Sequence, residues 1–280
     1  MIRSKRFILD TLTLFAAISI LSASAEIICE GDYGGHLQGI AVDGQESIYW
    51  SFTVDLVKTD FEGKQIAYAP VPSHHGDLCY SEGMLYVAVN LGAFNEPAGK
   101  ADSWLYAYDA EDLSLVWKRT LPEVVHGAGG IDRHGDHFYV VGGLPPGIEE
   151  NYVYEYTSDS VFVKRIAMAS GHTEMGIQTA FFNGGFWWFG CYGEPRTLIK
   201  ADADLRFVGR RLFDASLGIE KTVGGDFLIG KDLRLPSGRH RGSIVFAQEN
   251  SESFLKTLPA EGLNSFRLSK RKAKARSNGD

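Results

Sequence analysis

Residues 36–71 read HLQGIAVDGQESIYWSFTVDLVKTDFEGKQIAYAPV, and this stretch decides the fold. It contains four short segments rich in β-branched and aromatic residues, a composition typical of β-strands. Turn residues separate the segments: Asp43-Gly44 follows the first, and Asp60-Phe61-Glu62-Gly63 follows the third. Tight turns of this kind join neighbouring antiparallel strands. The stretch therefore predicts a four-stranded antiparallel unit.

The same pattern recurs along the rest of the chain. Three further units open with a histidine: HGDLCYSEG from His75, HGAGGIDRHG from His126 and HTEMGIQTAFFNGG from His172. A fifth unit begins without histidine at Asp214. Repeated four-stranded units of about 45 residues are the blades of a β-propeller. The sequence thus predicts an all-β, five-bladed β-propeller of four-stranded antiparallel blades, and a six-bladed ring with incomplete end units is the alternative.

The N-terminus has the pattern of a secretory signal. Three basic residues at positions 3–6 precede a mostly apolar stretch, and Ala23-Ser24-Ala25 matches a cleavage site. The continuous apolar run after Asp10 is too short for a stable membrane span. Residues 1–25 are therefore predicted to be a signal peptide, with export to the periplasm or the extracellular space and a mature chain that starts at Glu26.

Charge and composition divide the remainder. Residues 26–266 are predicted to form the propeller domain, and its first segment, 26–32, is expected to close the ring against the last blade. The chain carries 28 Lys and Arg against 35 Asp and Glu, a formal net charge of −7, which argues against a nucleic-acid partner. Residues 267–280 are basic and are expected to be a disordered tail. The alternative is that this tail contacts an anionic surface polymer or lipid.

The three cysteines, Cys29, Cys79 and Cys191, show no CxxC spacing. An exported chain with this count could form one disulfide and leave one thiol. We expect no disulfide framework, because the predicted core is large enough without one.

Connection lengths identify the working face of the predicted propeller. The connections between second and third strands are long, and they lie on the face where each first strand begins, here called the mouth face. Binding residues concentrate on loops that a rigid scaffold holds. The four repeated histidines begin their blades on this same face. These long connections cover residues 91–102, 142–151, 190–195 and 231–241.

The repeated histidines are candidate metal ligands. Imidazole is the commonest protein ligand for transition metals, so a ring formed by His36, His75, His126 and His172 would hold Zn, Fe or Mn on the axis. Open coordination positions on such an ion would activate water or polarise a carbonyl. The alternative is that each histidine lines the channel and hydrogen-bonds a neighbouring backbone carbonyl. His74 competes with His75 for the inward position, while His134, His137 and His240 are assigned to turns or the surface.

Other polar residues at the mouth suit an anionic or polyhydroxylated ligand. Arg196 opens a third strand and could bind a carboxylate through two N–H groups, and its alternative is an ion pair with a loop acid such as Glu194. The further candidate ligand-binding residues are Asn90 and Tyr192 near long connections, and Glu174, Gln178 and Glu220 on or just before first strands.

Residues 43–64 (DGQESIYWSFTVDLVKTDFEGK) and 103–122 (SWLYAYDAEDLSLVWKRTLP) resemble exported bacterial β-propellers of the NHL, YVTN and strictosidine-synthase-like type. The resemblance implies the propeller fold but no single function. Lactonase-like members hold an axial divalent ion with Glu, Asn and Asp, whereas this chain offers histidines, which argues against a calcium lactonase. The segment His36-Leu37-Gln38-Gly39 is also similar to the Gln-Gly step of five-bladed glutaminyl cyclases, but Ile48-Tyr49-Trp50-Ser51 replaces the acidic motif that should follow.

Two functions are consistent with these features. The first is an exported propeller that binds a small polar or anionic ligand, sugar-derived or carboxylated, at the channel mouth and acts as a metal-assisted hydrolase or lyase. The second is a non-catalytic binding or scaffold propeller with a protein partner. The sequence has no GxSxG, P-loop or HExxH motif, so it favours no other enzyme class.

Overall fold

The computed structural model describes residues 26–44 and 46–259. This part of the chain contains twenty-one β-strands and no helix, and its strands form five antiparallel sheets arranged as a five-bladed β-propeller. The predicted fold is therefore confirmed, with five blades rather than six. The predicted signal peptide and basic tail lie outside the described residues. Among the described residues, no helix is long and apolar enough to cross a membrane.

Each of the first four blades is a meander whose strands pair in chain order. Blade one consists of β2 (Leu37–Val42), β3 (Ser47–Phe52), β4 (Asp55–Asp60) and β5 (Gln65–Pro70). Blade two consists of β6 (His75–Ser81), β7 (Met84–Asn90), β8 (Ser103–Asp109) and β9 (Leu115–Thr120). Blade three consists of β10 (Ala128–His134), β11 (His137–Gly142), β12 (Asn151–Thr157) and β13 (Phe162–Met168). Blade four consists of β14 (Ile177–Asn183), β15 (Phe186–Cys191), β16 (Thr197–Asp202) and β17 (Phe207–Leu212).

Blade five is completed by both ends of the described chain. Its inner strands are β18 (Ile219–Lys221), β19 (Phe227–Arg234) and β20 (His240–Asn250). The outer edge of β20 pairs with β1 (Glu26–Ile28) along one half and with β21 (Phe254–Thr257) along the other. The N-terminal segment thus closes the ring, as the sequence predicted, and β20 has no long unpaired edge.

The inner strands β2, β6, β10 and β14 each contain a register shift near their first residues. Gly39 and Gly130 follow this shift in blades one and three, and Thr179 takes the corresponding place in blade four, opposite Gly190. Gly176 is followed by Ile177, as Gly39 is by Ile40 and Gly130 by Ile131, but it precedes that place by three residues. A β-bulge inserts one extra residue into one strand of a pair. Residues that are similar in sequence therefore do not take the same position in the strand pairing there.

The core lies between neighbouring blades rather than on the axis. Five clusters of buried apolar residues fill these spaces, and the tryptophans Trp50, Trp187 and Trp188 are almost fully buried. The three cysteines are buried free thiols, so the single disulfide considered from the sequence does not form. Apolar packing rather than disulfides therefore fills the spaces between the blades in the described residues.

Candidate functional site

A cavity of about 570 Å³ opens on the mouth face between blades one, four and five. Its walls are mostly polar and contain both imidazole and guanidinium groups. Its volume lies within the range of pockets that hold small ligands. The lining residues used below are His36, Glu174, Tyr192, Glu194, Arg196, Asp214, Lys231, Asp232, Arg234 and His240.

Gln38 joins two imidazoles at the edge of this cavity. Its Nε2 lies 2.7 Å from Nε2 of His36 and 3.1 Å from Nε2 of His74. Gln38 is only 5% exposed, so its amide has little access to water. The amide nitrogen carries two N–H groups and can donate one to each ring. Both Nε2 atoms then act as acceptors, which requires each neutral imidazole to carry its proton on Nδ1.

His240 adds a third imidazole and brings a carboxylate with it. Its Nδ1 lies 2.8 Å from Oδ2 of Asp232. The other oxygen, Oδ1 of Asp232, accepts the backbone N–H of Leu37 at 2.9 Å, so the carboxylate is fixed at both ends. The ring centroid of His36 lies 6.0 Å from that of His240 and 6.2 Å from that of His74. Three imidazoles from blades one, two and five therefore meet at the mouth.

Burial sets the protonation state of this cluster. It lowers the pKa of His36 below its ordinary value; nearby Asp232 acts in the opposite direction, and Arg196 in the same one. Burial also lowers the pKa of His74, and the neighbouring His36 ring adds to that shift. The hydroxyl of Tyr192 lies 3.4 Å from Nε2 of His36, and burial raises the pKa of Tyr192 to about 12. At neutral pH His36 and His74 are thus neutral imidazoles, and the phenol of Tyr192 beside His36 is protonated.

Asp214 binds two cationic side chains, Arg196 and Lys231, on another wall of the cavity. Its Oδ2 accepts hydrogen bonds from Nη1 of Arg196 and Nζ of Lys231, each at 3.0 Å. Burial alone would raise the pKa of Asp214, but Lys231, Ser216 and Arg196 together lower it below its ordinary value. The ion pair considered for Arg196 from the sequence therefore exists, with Asp214 rather than Glu194 as the partner.

The other repeated histidines are bound separately. His75 is completely buried, with Nδ1 2.7 Å from the carbonyl oxygen of Pro72 and Nε2 2.7 Å from the Tyr108 hydroxyl. Nδ1 of His126 lies 2.9 Å from the carbonyl oxygen of Glu96. These contacts match the carbonyl-bonded alternative for His75 and His126.

His172 makes the same kind of contact, with Nδ1 2.8 Å from the carbonyl oxygen of Ile148. His126 and His172 thus each anchor the long connection of the preceding blade. Of the four repeated histidines, only His36 lines the cavity. Across residues 26–44 and 46–259, no group of three or more His, Cys, Asp or Glu side chains stands close enough to hold a metal ion. The predicted axial Zn, Fe or Mn ion stays a prediction.

The candidate ligand-binding residues divide between the cavity and other places. Arg196, Tyr192 and Glu174 line the cavity. Asn90 instead closes the long connection of blade two, accepting the N–H of Asp102 at 3.0 Å. Gln178 is buried and donates to the carbonyl of Met175 at 2.7 Å.

Glu220, the remaining candidate, lies deeper in the channel with two other carboxylates. Oδ2 of Asp77 accepts the N–H of Ala180 from across the channel at 3.0 Å, and Oδ2 of Asp132 accepts the N–H of Phe182 at 2.6 Å. Burial raises the pKa of Asp132 to about 7. The pKa values of Asp77 and Glu220 are also raised, by burial first and then by the charge of Asp132. The carboxylates of Asp77 and Asp132 thus accept hydrogen bonds from backbone N–H groups on the inner edge of β14, where no neighbouring strand pairs with them.

Sequence reasoning missed His74, His240 and Asp232 as members of the site. The carbonyl of His36 accepts the N–H of Thr53 at 3.1 Å, and the carbonyl of His74 accepts the N–H of Asn90 at 3.1 Å. These matching hydrogen bonds make His74, not His75, the counterpart of His36. An alignment anchored on the strand after each histidine, rather than on the histidine itself, would have found it.

Comparisons with known proteins support the fold. No family model matches the sequence, and no curated protein is significantly similar to it. A GH43 glycoside hydrolase engineered for both endo-xylanase and exo-arabinofuranosidase activity is similar in structure, with 9% identity over 84% of this chain and 54% of that one, and a TM-score of 0.58. A bifunctional GH43-CE protein from Bacteroides eggerthii has 14% identity over 85% of this chain and 36% of that one, with a TM-score of 0.54.

BamB from Moraxella catarrhalis shares 12% identity over 69% of this chain and 60% of its own, with a TM-score of 0.39. This chain thus spans 54% and 36% of the two GH43 proteins, each of which is longer. At these identities the likeness shows the propeller fold alone. The specific NHL, YVTN or strictosidine-synthase-like resemblance stays a prediction, and function has to be argued from the cavity.

Proposed function

We propose that this protein binds a small carboxylated, hydroxyl-bearing ligand, such as a sugar acid, in the cavity at the channel mouth. The observation that carries the proposal is the position of three cations, Arg196, Lys231 and Arg234, around one cavity that also contains imidazole and phenol groups. Carboxylates are bound by guanidinium and ammonium groups, whereas hydroxyl groups exchange hydrogen bonds with imidazole, phenol and carboxylate.

The cations retain capacity for a ligand despite Asp214. The Arg196 side chain is 39% exposed, and only its Nη1 bonds to Asp214, so most of its five N–H groups remain available. Within the described part of the chain, the exposed Arg234 side chain forms no hydrogen bond or ion pair. A ligand carboxylate placed beside Arg196 and Arg234 would therefore add contacts without breaking the Asp214 network.

The acidic residues of the cavity favour a neutral, hydroxyl-rich remainder of the ligand. Glu174 and Glu194 are exposed at its rim and can accept hydrogen bonds from hydroxyl groups. Their charge disfavours ligands with several carboxylates. Together the walls suit one carboxylate on a polyhydroxylated body, which describes a sugar acid. The signal-like sequence of residues 1–25 supports binding in the periplasm or outside the cell.

Calorimetric titration tests this proposal. Glucuronate and galacturonate should bind, and the uncharged sugars glucose and galactose should bind at least about tenfold more weakly, because they lack the carboxylate. Arg196→Gln should remove most of that difference. Arg119→Gln, on the exposed outer strand β9, is the matched control and should bind like the wild type. Equal affinities for acids and uncharged sugars, unchanged in Arg196→Gln, would overturn the proposal.

A second candidate function, a non-catalytic scaffold, is favoured by the opposite face. The outer strands of blades one to four begin there, and each has an exposed apolar side chain as its second residue. An apolar rim of this kind suits a protein partner. Incubation with a bound sugar acid tests whether the mouth is catalytic: chemical conversion supports the metal-assisted hydrolase or lyase, and recovery of the unchanged ligand supports a non-catalytic binding protein. The rim residues include Ile66 at 55% exposure, Val116 at 54%, Val163 at 45% and Val208 at 51%.

A further inference from the structure

We propose that His36, His74 and His240 close around one divalent transition-metal ion at the channel mouth, in the place that the Gln38 amide nitrogen occupies. The three rings do not stand close enough to hold an ion in the described structure, so binding requires them to move together. This ligand set shares only His36 with the set suggested by the repeats. The proposal does not depend on the sugar-acid ligand, although both use the same mouth.

The first argument is the direction of two imidazoles. Nε2 of His36 and Nε2 of His74 lie 2.7 Å and 3.1 Å from a single atom, Nε2 of Gln38. Because that atom can donate one N–H to each ring, two lone pairs point at one place. Imidazole binds a metal through the same lone pair, at about 2.0–2.1 Å. An ion in that place requires the Gln38 side chain to leave, the His36 ring to close by about 0.6 Å and the His74 ring by about 1 Å.

The second argument is the state of His240. Its Nδ1 is bonded to Asp232 at 2.8 Å, which leaves Nε2 as its remaining nitrogen. Metal-ligating histidines almost always bond through their other ring nitrogen to a carboxylate or carbonyl, which fixes the tautomer and the ring orientation. Asp232 is itself fixed by the N–H of Leu37 at 2.9 Å. The supporting carboxylate of a metal site is thus already built behind His240.

The third argument is the place of the fourth ligand. His36 and His240 both line the 570 Å³ cavity, so an ion bound to both would face it. Three protein ligands and an open position are the pattern of catalytic zinc sites, whereas structural sites are closed by four. Neutral imidazole prefers ions such as Zn²⁺, Co²⁺, Ni²⁺ or Cu²⁺ over Mg²⁺ and Ca²⁺, which prefer oxygen. The site therefore has the chemistry to bring water or a ligand oxygen to a Lewis acid.

The test uses the full-length protein, stripped with chelator and titrated with Co²⁺ by visible absorption and with Zn²⁺ by calorimetry. We expect one ion per chain. His74→Ala and His240→Ala should each abolish the Co²⁺ spectrum, and Asp232→Asn should weaken binding by about 10–100-fold. Gln38→Ala removes the bridging amide and should bind at least as tightly as the wild type.

The controls are His126→Ala and His172→Ala, which remove histidines bound to loop carbonyls and should leave metal binding unchanged. Circular dichroism checks that each variant is folded. A second measurement needs no variant: Zn²⁺ should shift the ring NMR signals of three histidines in the wild-type protein. Absence of Co²⁺ and Zn²⁺ binding, or full binding in both His74→Ala and His240→Ala, would overturn the proposal. Sugar-acid binding measured on the stripped protein reports separately on the ligand proposal.

Discussion

His36 and His74 occupy the same position in successive blades, and their Nε2 atoms lie 2.7 Å and 3.1 Å from one amide nitrogen, that of Gln38. The repeat of the blades brings the two residues together at the mouth, and the buried amide between them fixes the orientation of each ring. The pair places two imidazoles at the mouth between blades one and two. His36 lines the cavity there, and the cationic side chains of blades four and five line its other walls.

The carboxylates of the channel should make stability depend on pH. Burial raises the pKa of Asp132 from 3.8 to about 7, so the folded protein retains this proton where the unfolded chain has lost it. The free energy of unfolding should therefore fall as pH rises from about 4 to about 7, by roughly 1 kcal/mol per pH unit from Asp132, and then level off. The raised pKa values of Asp77 and Glu220 act in the same direction.

Urea unfolding of wild type and Asp132→Asn between pH 4 and pH 8 measures this effect. The variant has no carboxyl to titrate at this position, so its stability relative to wild type should increase with pH. A constant difference between the two proteins over the whole range would contradict the assignment of the proton to Asp132.

Asp214 should contribute to stability through the cations it holds. Asp214→Ala leaves Arg196 and Lys231 without the carboxylate that each contacts at 3.0 Å, and we expect a loss of about 1–3 kcal/mol in urea unfolding. The matched control is Asp204→Ala. Its ion pair with Arg206 is shorter, 2.6 Å, but both side chains are largely exposed, so the loss should stay below about 1 kcal/mol. Equal losses of unfolding free energy in the two variants would show that burial does not strengthen the ion pairs of Asp214.

Gly39 should tolerate no side chain. A Cβ at this position would lie 2.6 Å from Cα of Asp77 in the next blade, a backbone contact that cannot yield without moving β6. We expect Gly39→Ala to lower the unfolding free energy by about 1–3 kcal/mol. Gly224→Ala is the control, because its Cβ would meet nothing closer than Thr222 Oγ1 at 3.5 Å. Thermal unfolding of both variants measures this loss. An unchanged melting temperature in Gly39→Ala would count against the close packing of the inner strands.

Ring closure by β1 should depend on one of two adjacent isoleucines. Ile27 is 4% exposed in the core between blades five and one, while Ile28 is 51% exposed. Ile27→Ala should cost about 2–5 kcal/mol, and Ile28→Ala less than about 0.5 kcal/mol. Chemical denaturation measures both. Similar costs would mean that β1 closes the ring through its backbone hydrogen bonds alone.

Export should leave that closing strand intact. The predicted cleavage after Ala25 makes Glu26, the first residue of β1, the new N-terminus. Mass spectrometry of the secreted native protein should therefore find a chain that begins at Glu26. A mature protein that retains Met1 would contradict cleavage, and one that begins after Ile28 would contradict the role of β1 in closure.

Much of the fold followed from local patterns. The turn after Asp43 and the strand residues around Trp50 predicted antiparallel units, because hairpin turns and alternating strands are encoded within a few residues. The period of the units predicted five blades and the closing N-terminal strand. Arg196 and Tyr192 were placed at the mouth correctly, since they stand in or next to a long connection whose face follows from the up-and-down order of the strands.

The sequence by itself determined the four-stranded blades and the face that carries the polar residues, while the structure decided for five blades over six. Only the tertiary structure decided which histidines meet. A bulge in the inner strands of blades one to four shifts the register by one residue, and in a strand one residue turns a side chain to the other face. His75 is thereby buried against Tyr108, and His74 turns to Gln38 instead. His240, eight residues from Asp232 along the β19–β20 hairpin, reaches His36 only because the ring closes and brings blade five beside blade one.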